Sequence, residues 1–130
     1  MTIQCITTDH APAAIGPYSQ AVVAGGMLYV SGQIPLDCKT GAMVDGGISS
    51  QTKQVLENLK AIVEASECDM SHVVKVTIYL TDLQQFSVVN EIYGTFFSAP
   101  YPARACVEVS NLPKGVEVEM DAIVQLTLKH

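Results

Sequence analysis

The stretch VEVEMDAIVQLTLK (residues 116–129) has the pattern of one long β-strand. Side chains alternate between the two faces of a strand. One face is wholly apolar and consists of Val116, Val118, Met120, Ala122, Val124 and Leu126. The other face is mixed and consists of Glu117, Glu119, Asp121, Ile123, Gln125 and Thr127. The pattern predicts a sheet strand with one face covered by other elements and one face of different character.

Three further segments alternate in the same way. In VVKVTIYL (73–80) the apolar face is Val74, Val76, Ile78 and Leu80, and in 28–33 Leu28 and Val30 oppose Tyr29, Ser31 and Gln33. In YPARACVEV (101–109) the apolar stripe is Ala103, Ala105, Val107 and Val109, whereas Arg104, Cys106 and Glu108 face the other way. We expect helices to cover the apolar face of each strand.

The remaining segments complete an α+β order. TIQCI (2–6) is a strand candidate, and AVVAGGMLYVSG (21–32) predicts a hairpin that turns at Gly25-Gly26. Apolar spacing predicts a helix over 49–66, capped by Ser49 or Ser50. A second helix is predicted through 83–97, opened by a capping box of Asp82 and Gln85. The order β-β-β-α-β-α-β-β predicts one domain, residues 1–130, with two helices on one face of a single mixed sheet.

Composition indicates an oligomer. Of the 130 residues, 48% are hydrophobic and only 15% are charged. The mixed strand faces contain too many Ile, Tyr, Val and Cys side chains for a face that meets only solvent. We therefore expect this face to pack against other copies of the chain.

Charge and cysteine spacing exclude several classes of protein. The net charge is −6 and Arg104 is the only arginine, so we expect no nucleic-acid binding. The chain has no signal peptide, transmembrane run or lipidation motif, and its four cysteines form no C-x-x-C. We expect a cytoplasmic protein with free thiols and no membrane partner. The histidines have no metal-ligand spacing, so we expect neither a metal nor a cofactor.

Arg104 is the main candidate for ligand binding. If the last two strands pair as a hairpin, Arg104 and Cys106 share a cleft with Glu119, whose pKa the nearby cation would lower. A guanidinium can donate hydrogen bonds to both oxygens of a small carboxylate, although an ion pair between Arg104 and a glutamate of the same chain remains an alternative. Cys106 lacks the histidine or helix N-terminus that activates a nucleophile.

The sequence resembles the RidA (YjgF) family over nearly its whole length. The similarity lies in APAAIGPYSQA (11–21), VSGQIPLDCKTG (30–41), QTKQVLENLKAIVEA (51–65), VVKVTIYLTDLQQFSVVNEIYGTFF (73–97) and YPARACVEVSNLPKGVEVEMDAI (101–123). The resemblance implies a chorismate-mutase-like α+β fold and a trimer with a central β-barrel and clefts between subunits. It also implies a deaminase that hydrolyses 2-iminobutanoate and 2-iminopropanoate to 2-keto acids and ammonia.

The resemblance also implies roles for particular residues. Arg104 would bind the substrate carboxylate, and Glu119 would hold the attacking water. The cleft would be lined by Tyr18, Ser31, Gly32, Asn90, Ala105 and Cys106. From the residues alone, Tyr18 could equally pack in the core and Asn90 could be a solvated helix position. Ser31 has no base partner, which argues against a serine hydrolase.

Two departures from the family pattern concern specificity. Ala105 stands where serine is common, and the loop between Phe97 and Tyr101 is short, with Tyr101 in place of phenylalanine. Three other functions are alternatives to the deaminase. They are an endoribonuclease or translation inhibitor, a non-catalytic sensor of keto acids, and a chaperone-like regulatory protein.

Overall fold

The computed structural model describes residues 3–126, and within them six strands and two α-helices. Their bounds are β1 Gln4–Ile6, β2 Ala21–Ala24, β3 Met27–Gln33, α1 Gly47–Ala65, β4 Val73–Leu80, α2 Phe86–Gly94, β5 Ala103–Glu108 and β6 Val118–Gln125. Short 3₁₀ turns occupy Met70–His72, Leu83–Gln85 and Pro113–Gly115. The predicted strand positions at residue 2 and at residues 127–129 lie outside the described residues. The predicted element order is confirmed.

The six strands form one mixed sheet in the order β1-β2-β3-β6-β4-β5. All neighbours are antiparallel except β4 and β5, which are parallel. β5 and β6 are not neighbours, so the hairpin on which the shared cleft of Arg104, Cys106 and Glu119 was conditional does not form. α2 is a crossover between β4 and β5, and such a connection joins parallel strands. β6 lies instead in the middle of the sheet, between β3 and β4.

Both helices pack on one face of this sheet, as predicted. The residues of β6 on that face, Val118, Met120, Ala122 and Val124, are all buried. They meet the buried stripe of α1, which comprises Val55, Leu56, Leu59, Ile62 and Val63. Val89 and Tyr93 are the buried residues of α2. We call this side of the sheet the helix face and the opposite side the open face.

The helix ends differ from the predicted ones. The N-cap of α1 is Gly46, at φ 112°, and no side chain caps the helix, so the predicted Ser49 or Ser50 cap is wrong. Glycine adopts this left-handed conformation at little cost, and the helix can begin earlier than the serines suggested. Asp82 does cap, but its carboxylate accepts from the Gln84 N–H at 2.9 Å to hold a 3₁₀ turn. α2 then begins at Phe86 and ends at Gly94, short of the predicted Phe97.

A bulge at the start of β4 changes which side its first residues face. The pairing with β6 shifts between Val73 and Lys75. Val73 is consequently buried, whereas Val74 is 39% exposed, against the prediction that Val74 joins the covered face. A slip of one residue moves a side chain to the other side of a sheet, and alternation alone cannot reveal it.

The faces of β5 are the reverse of those predicted. In its parallel register Arg104 pairs with Val76 and Cys106 with Ile78, and both of these β4 residues are fully buried on the helix face. Cys106 packs against the core. The small apolar stripe instead lies on the open face, where Ala103, Ala105 and Val107 are exposed. Both helices lie on the other side of the sheet, so this apolar stripe has no helix above it.

The open face thus carries exposed apolar side chains. Tyr29 is 44% exposed and Val107 43% exposed, and the exposed Ala105 pairs in register with Thr77 on the same face. This distribution fits a surface that meets another protein chain. In the described part of the chain, no helix has both the length and the apolar character needed to cross a membrane.

Ile78→Ala should lower the free energy of unfolding by about 2–5 kcal/mol, because Ile78 is fully buried and its loss leaves a cavity. Ile15→Ala is the matched control, since Ile15 is 84% exposed, and it should cost less than about 0.5 kcal/mol. Urea unfolding followed by circular dichroism measures both values. Equal losses for the two variants would contradict the assignment of the core.

Candidate functional site

The Arg104 guanidinium is held in place by three contacts. Its Nη1 donates a hydrogen bond to Asn90 Oδ1 at 2.6 Å. Its Cζ lies 4.9 Å from the ring centroid of Tyr93 and 5.2 Å from that of Phe86. A guanidinium over aromatic rings gains cation–π attraction and keeps its remaining donors available. The alternative of an intrachain ion pair between Arg104 and a glutamate is wrong, because among residues 3–126 Arg104 makes no such pair.

A pocket opens beside this guanidinium. It has a volume of about 470 Å³ and is lined by Asn90, Tyr93, Gly94, Tyr101, Pro102 and Arg104. We call it the Arg104 pocket. The Tyr93 hydroxyl is buried and has no hydrogen-bond partner within residues 3–126. Burial raises the pKa of Tyr93, opposed in part by Arg104, so the phenol stays neutral. The pocket therefore presents one fixed cation and no anion.

Sequence reasoning missed the aromatic support of Arg104. Phe86 and Tyr93 fall on one stripe of the second predicted helix, and a stripe of this kind normally indicates core packing. Asn90 was predicted either to orient a ligand or to be solvated, and it is the direct partner of Arg104. A signal was available in the spacing, since 86, 90 and 93 fall on one face of α2.

A second concavity surrounds Glu119. It has a volume of about 570 Å³ and its lining includes Tyr18, Gln20, Ser31, Gly32, Lys114 and Glu119. We call it the Glu119 groove. Tyr18 is 56% exposed, so the alternative that it packs in the core is wrong. A Cβ atom added at Gly32 would collide with the Glu119 carboxylate, so the carboxylate occupies space that only glycine leaves.

One wall of the groove is fixed by the buried Gln20, which is 4% exposed. Its amide donates to the carbonyls of Thr8, Ala11 and Pro12 at 2.8–3.3 Å and thereby ties the loop before β2 to the sheet. Ser31 Oγ donates to the Ser19 carbonyl at 2.6 Å. The hydroxyl of Ser31 is thus committed to the fold of the loop. Gln20 was not identified from the sequence, since a buried glutamine has no distinctive spacing.

The electrostatic environment of Glu119 differs from the prediction. Burial raises the pKa of Glu119, and the negative charge of Asp121 raises it further. Arg104 of the same copy is not among the causes of this shift, so the expectation that Arg104 lowers the pKa of Glu119 is wrong within one copy. A carboxylate whose pKa is raised is a stronger base than an ordinary glutamate.

Arg104 and Glu119 lie on opposite sides of the sheet. Arg104 pairs with Val76, which is on the helix face, whereas Glu119 pairs with Tyr79, which is on the open face. The structure therefore divides these predicted site residues into two groups that do not meet within one copy. Tyr18, Ser31, Gly32 and Glu119 surround the Glu119 groove, and Asn90 and Arg104 line the Arg104 pocket.

The two remaining predicted residues lie beside Arg104 on β5. Ala105 is exposed on the open face, and Cys106 is partly buried on the helix face. Burial raises the pKa of the Cys106 thiol, with Arg104 opposing the shift. Cys106 is therefore a thiol rather than a thiolate, which does not suit a nucleophile. Among the residues described, no group of three or more His, Cys, Asp or Glu side chains could hold a metal ion.

A third depression, of about 750 Å³, shares Tyr18 with the Glu119 groove and is also lined by Cys5, Asp9, Cys38 and Lys39. It is larger than the other two, but several of its polar side chains already have hydrogen-bond partners within the chain. Cys5 Sγ and Ser19 Oγ already interact at 3.3 Å, and Gln20 is satisfied by the loop carbonyls. We therefore regard the Arg104 pocket and the Glu119 groove as the candidate site.

Comparisons with known proteins agree with one another on the family. The family model described as Endoribonuclease L-PSP matches residues 8–126. A RutC family protein of Pyrococcus horikoshii is 52% identical over 92% of this chain and 95% of its own. The 2-iminobutanoate/2-iminopropanoate deaminase of Mus musculus is 50% identical over 91% of this chain and 86% of its own. The crystal structure of RidA from the Antarctic bacterium Psychrobacter sp. PAMC 21119 superimposes with a TM-score of 0.91 at 48% identity, covering 95% of this chain and 99% of the other.

Alkylation by iodoacetamide should modify Cys5 much faster than Cys106 at neutral pH. Cys5 is exposed, whereas Cys106 is partly buried and has a raised pKa. We expect a difference in rate of roughly tenfold, since the thiolate is the reactive form. Mass spectrometry of peptides taken at successive times measures both rates. Faster labelling of Cys106 than of Cys5 would contradict the assignment of Cys106 as an inert thiol.

Proposed function

The chain belongs to the Endoribonuclease L-PSP family, which includes RidA and YjgF, and on that basis we propose that it is a hydrolytic deaminase of small 2-imino acids. The substrates would be 2-iminobutanoate and 2-iminopropanoate, and the products 2-keto acids and ammonia. The observation that carries the proposal is the division of the candidate site. One side of the sheet offers a fixed guanidinium and the other offers a carboxyl group, each beside a concavity.

A complete site would form between two copies of the chain. Arg104 lies on an edge strand and Glu119 on the open face of a central strand, so one copy cannot bring them together without disrupting its sheet. The exposed apolar residues of the open face supply a surface for association, among them Tyr29 and Val107. A trimer in which the open faces surround a central barrel would bring the Arg104 pocket of one copy to the Glu119 groove of the next.

Substrate binding would use the guanidinium first. The Arg104 fork suits a carboxylate because it can donate two parallel hydrogen bonds, and the Asn90 contact fixes its direction. The 2-imino acids named for the mouse relative carry such a carboxylate. Tyr18, Ser31 and Gly32 would line the cleft from one copy, and Ala105 and Cys106 would line it from the other.

The chemistry requires a positioned water molecule. The carbon of an iminium group is already electrophilic, so hydrolysis depends on orientation of the substrate and on removal of a proton from water. Glu119 would accept that proton as the C–O bond forms, a contribution of about 10²–10⁴-fold for general bases. The carbinolamine then loses ammonia to give the keto acid.

Two other functions remain to be compared with this one by experiment. The first is cleavage of RNA, which the family description names. The composition argues against RNA binding, because a net charge of −6 and a single arginine offer few contacts to phosphate groups. A sensor that binds keto acids at the same cleft would have the same geometry but would not accelerate hydrolysis. Cytoplasmic location remains a prediction from the sequence.

Arg104→Ala should abolish the acceleration, with a loss of ~10²-fold or more in kcat/KM, because the substrate carboxylate loses its charged partner. Glu119→Gln should lower kcat by about 10²–10⁴-fold and change KM much less. Both are measured by producing the imine with a pyridoxal-phosphate dehydratase and following its loss. Glu64→Gln, on the exposed side of α1, is the control for loss of one carboxylate.

The same assay distinguishes the alternatives. If the wild-type protein binds 2-ketobutanoate but leaves the rate of imine loss unchanged, the sensor function replaces the deaminase. Salt-sensitive cleavage of RNA by protein free of contaminating nucleases would support the endoribonuclease. Light scattering on a gel-filtration column measures the assembly, and a monomer at micromolar concentration would contradict the shared site.

Mixing the two inactive variants should restore activity. In oligomers formed from equal amounts of Arg104→Ala and Glu119→Gln chains, about a quarter of the interfaces between copies would combine an intact Arg104 with an intact Glu119. We expect activity to recover to roughly that fraction of wild type after co-expression. Mixing either variant with itself is the control. No recovery in oligomers that contain both chains would contradict a site shared between copies.

A further inference from the structure

A β-bulge interrupts β3 beside the Glu119 groove. The pairing of β3 with β6 is regular up to Val30 and resumes at Gln33, which pairs with Met120. Two residues of β3, Ser31 and Gly32, therefore lie opposite a single residue of β6. A bulge of this kind bends its strand and changes the direction in which the following side chains point.

The bulge changes the faces on which Gly32 and Gln33 lie. Strict alternation along β3 would place Gln33 on the open face with Tyr29, and this prediction is wrong. Its partner Met120 is fully buried on the helix face, and Gln33 itself is 6% exposed. The same shift turns Gly32 to the open face, where its missing Cβ leaves the space that the Glu119 carboxylate occupies. Without the bulge, residue 32 would point toward the helices and away from Glu119.

Three hydrogen bonds hold Ser31 within the bulge. Its N–H donates to the Gln20 carbonyl at 2.9 Å, and its Oγ donates to the Ser19 carbonyl at 2.6 Å. Its own carbonyl accepts a hydrogen bond from Gln33 Nε2 at 3.1 Å. The first two bonds join Ser31 to the segment that precedes β2. The third comes from the other side of the bulge and therefore fixes the bulge itself.

An amide at position 33 is not required for packing. The Gln33 side chain lies on the helix face, and a methionine, which has nearly the same size, would pack there without burying a polar group. Burial of an amide costs free energy unless the amide is hydrogen-bonded. The bond to the Ser31 carbonyl satisfies this requirement. A bulge takes backbone groups out of the regular ladder, and the Gln33 amide supplies a partner for one of them.

We propose that Gln33 is a positioning residue that holds the bulge and thereby sets the Gly32 backbone and the Glu119 carboxylate in their relative places. The inference rests on the proposed function, because it concerns the geometry on which activation of the water depends. The Gln33 side chain lies on the helix face, so it acts through Ser31 and Gly32. A displacement of about 1 Å at a reacting group can cost about 10²-fold in rate, so loss of this one bond is expected to lower turnover.

Gln33→Met removes the hydrogen-bond donor and keeps nearly the same volume. In the assay of imine loss, kcat should fall roughly tenfold to a hundredfold while KM changes less than about twofold, because Arg104 of the neighbouring copy still binds the substrate carboxylate. In ¹⁵N-labelled protein followed by NMR, the Ser31 amide proton should exchange with solvent roughly tenfold faster, since one of its three bonds is lost. The exchange measurement requires no enzymatic activity.

Gln51→Met is the matched control. Gln51 is 5% exposed, and its amide forms two hydrogen bonds with Glu117, of 3.2 and 2.8 Å. Neither residue lines the Glu119 groove. The control should cost as much stability as Gln33→Met but leave kcat and the exchange of Ser31 within about twofold of wild type. Equal effects of the two variants on kcat would indicate a general loss of stability and overturn the proposal.

Gln33→Leu tests the same loss with a different apolar side chain and should give the same two results. Light scattering shows which variants assemble like the wild type. If neither Gln33→Met nor Gln33→Leu assembles while Gln51→Met does, the Gln33 amide is needed for the fold rather than for the site, and the proposal is overturned.

The two proposals can fail separately. Suppose that the wild-type protein hydrolyses the imine, but that in Gln33→Met either kcat or the exchange of Ser31 stays unchanged. The deaminase then stands and the role of Gln33 is wrong. If the wild-type protein hydrolyses no imine and the exchange of Ser31 still rises in Gln33→Met, the deaminase function is wrong and Gln33 holds the bulge without a catalytic role.

Discussion

The pairing of β6 with both β3 and β4 is the constraint on which the structure depends. β6 carries the helix-facing row of Val118, Met120, Ala122 and Val124, and its central position buries that whole row beneath α1. Burial of each valine or methionine in this row contributes about 1.5–3 kcal/mol before the entropy of folding is subtracted. Because β6 fills the place beside β4, only the other edge of β4 is left for β5.

That constraint also divides the candidate site. α2 connects β4 to a parallel β5, so Arg104 comes to lie over the aromatic side chains of α2, on the helix face. Glu119 comes to lie on the opposite face, where Gly32 leaves room for it. The same pairing that stabilises the sheet thus separates a cation and a carboxyl group within one copy. A function that needs both therefore favours assembly, and the exposed apolar residues of the open face offer a surface for it.

The electrostatics of the two halves differ in a way that suits their separate tasks. Arg104 is exposed, oriented by Asn90 and unpaired with any acid among the residues described, so it can receive an anion. Glu119 is partly buried beside the charge of Asp121, and both effects raise its pKa. A carboxylate in that environment is a stronger base than an exposed glutamate.

The sequence by itself determined the α+β class, the order of the elements and the apolar faces of β3 and β6, and it supplied the residues of the candidate site. These follow from periodicity and from motif similarity, and both are local properties of the chain. Only the tertiary structure decided that β5 pairs with β4, that Val74 lies at a bulge, and that Arg104 rests on Tyr93. Those outcomes depend on which strand occupies the centre of the sheet. Alternation along a segment cannot specify that position, because strand neighbours are chosen by contacts between distant parts of the chain.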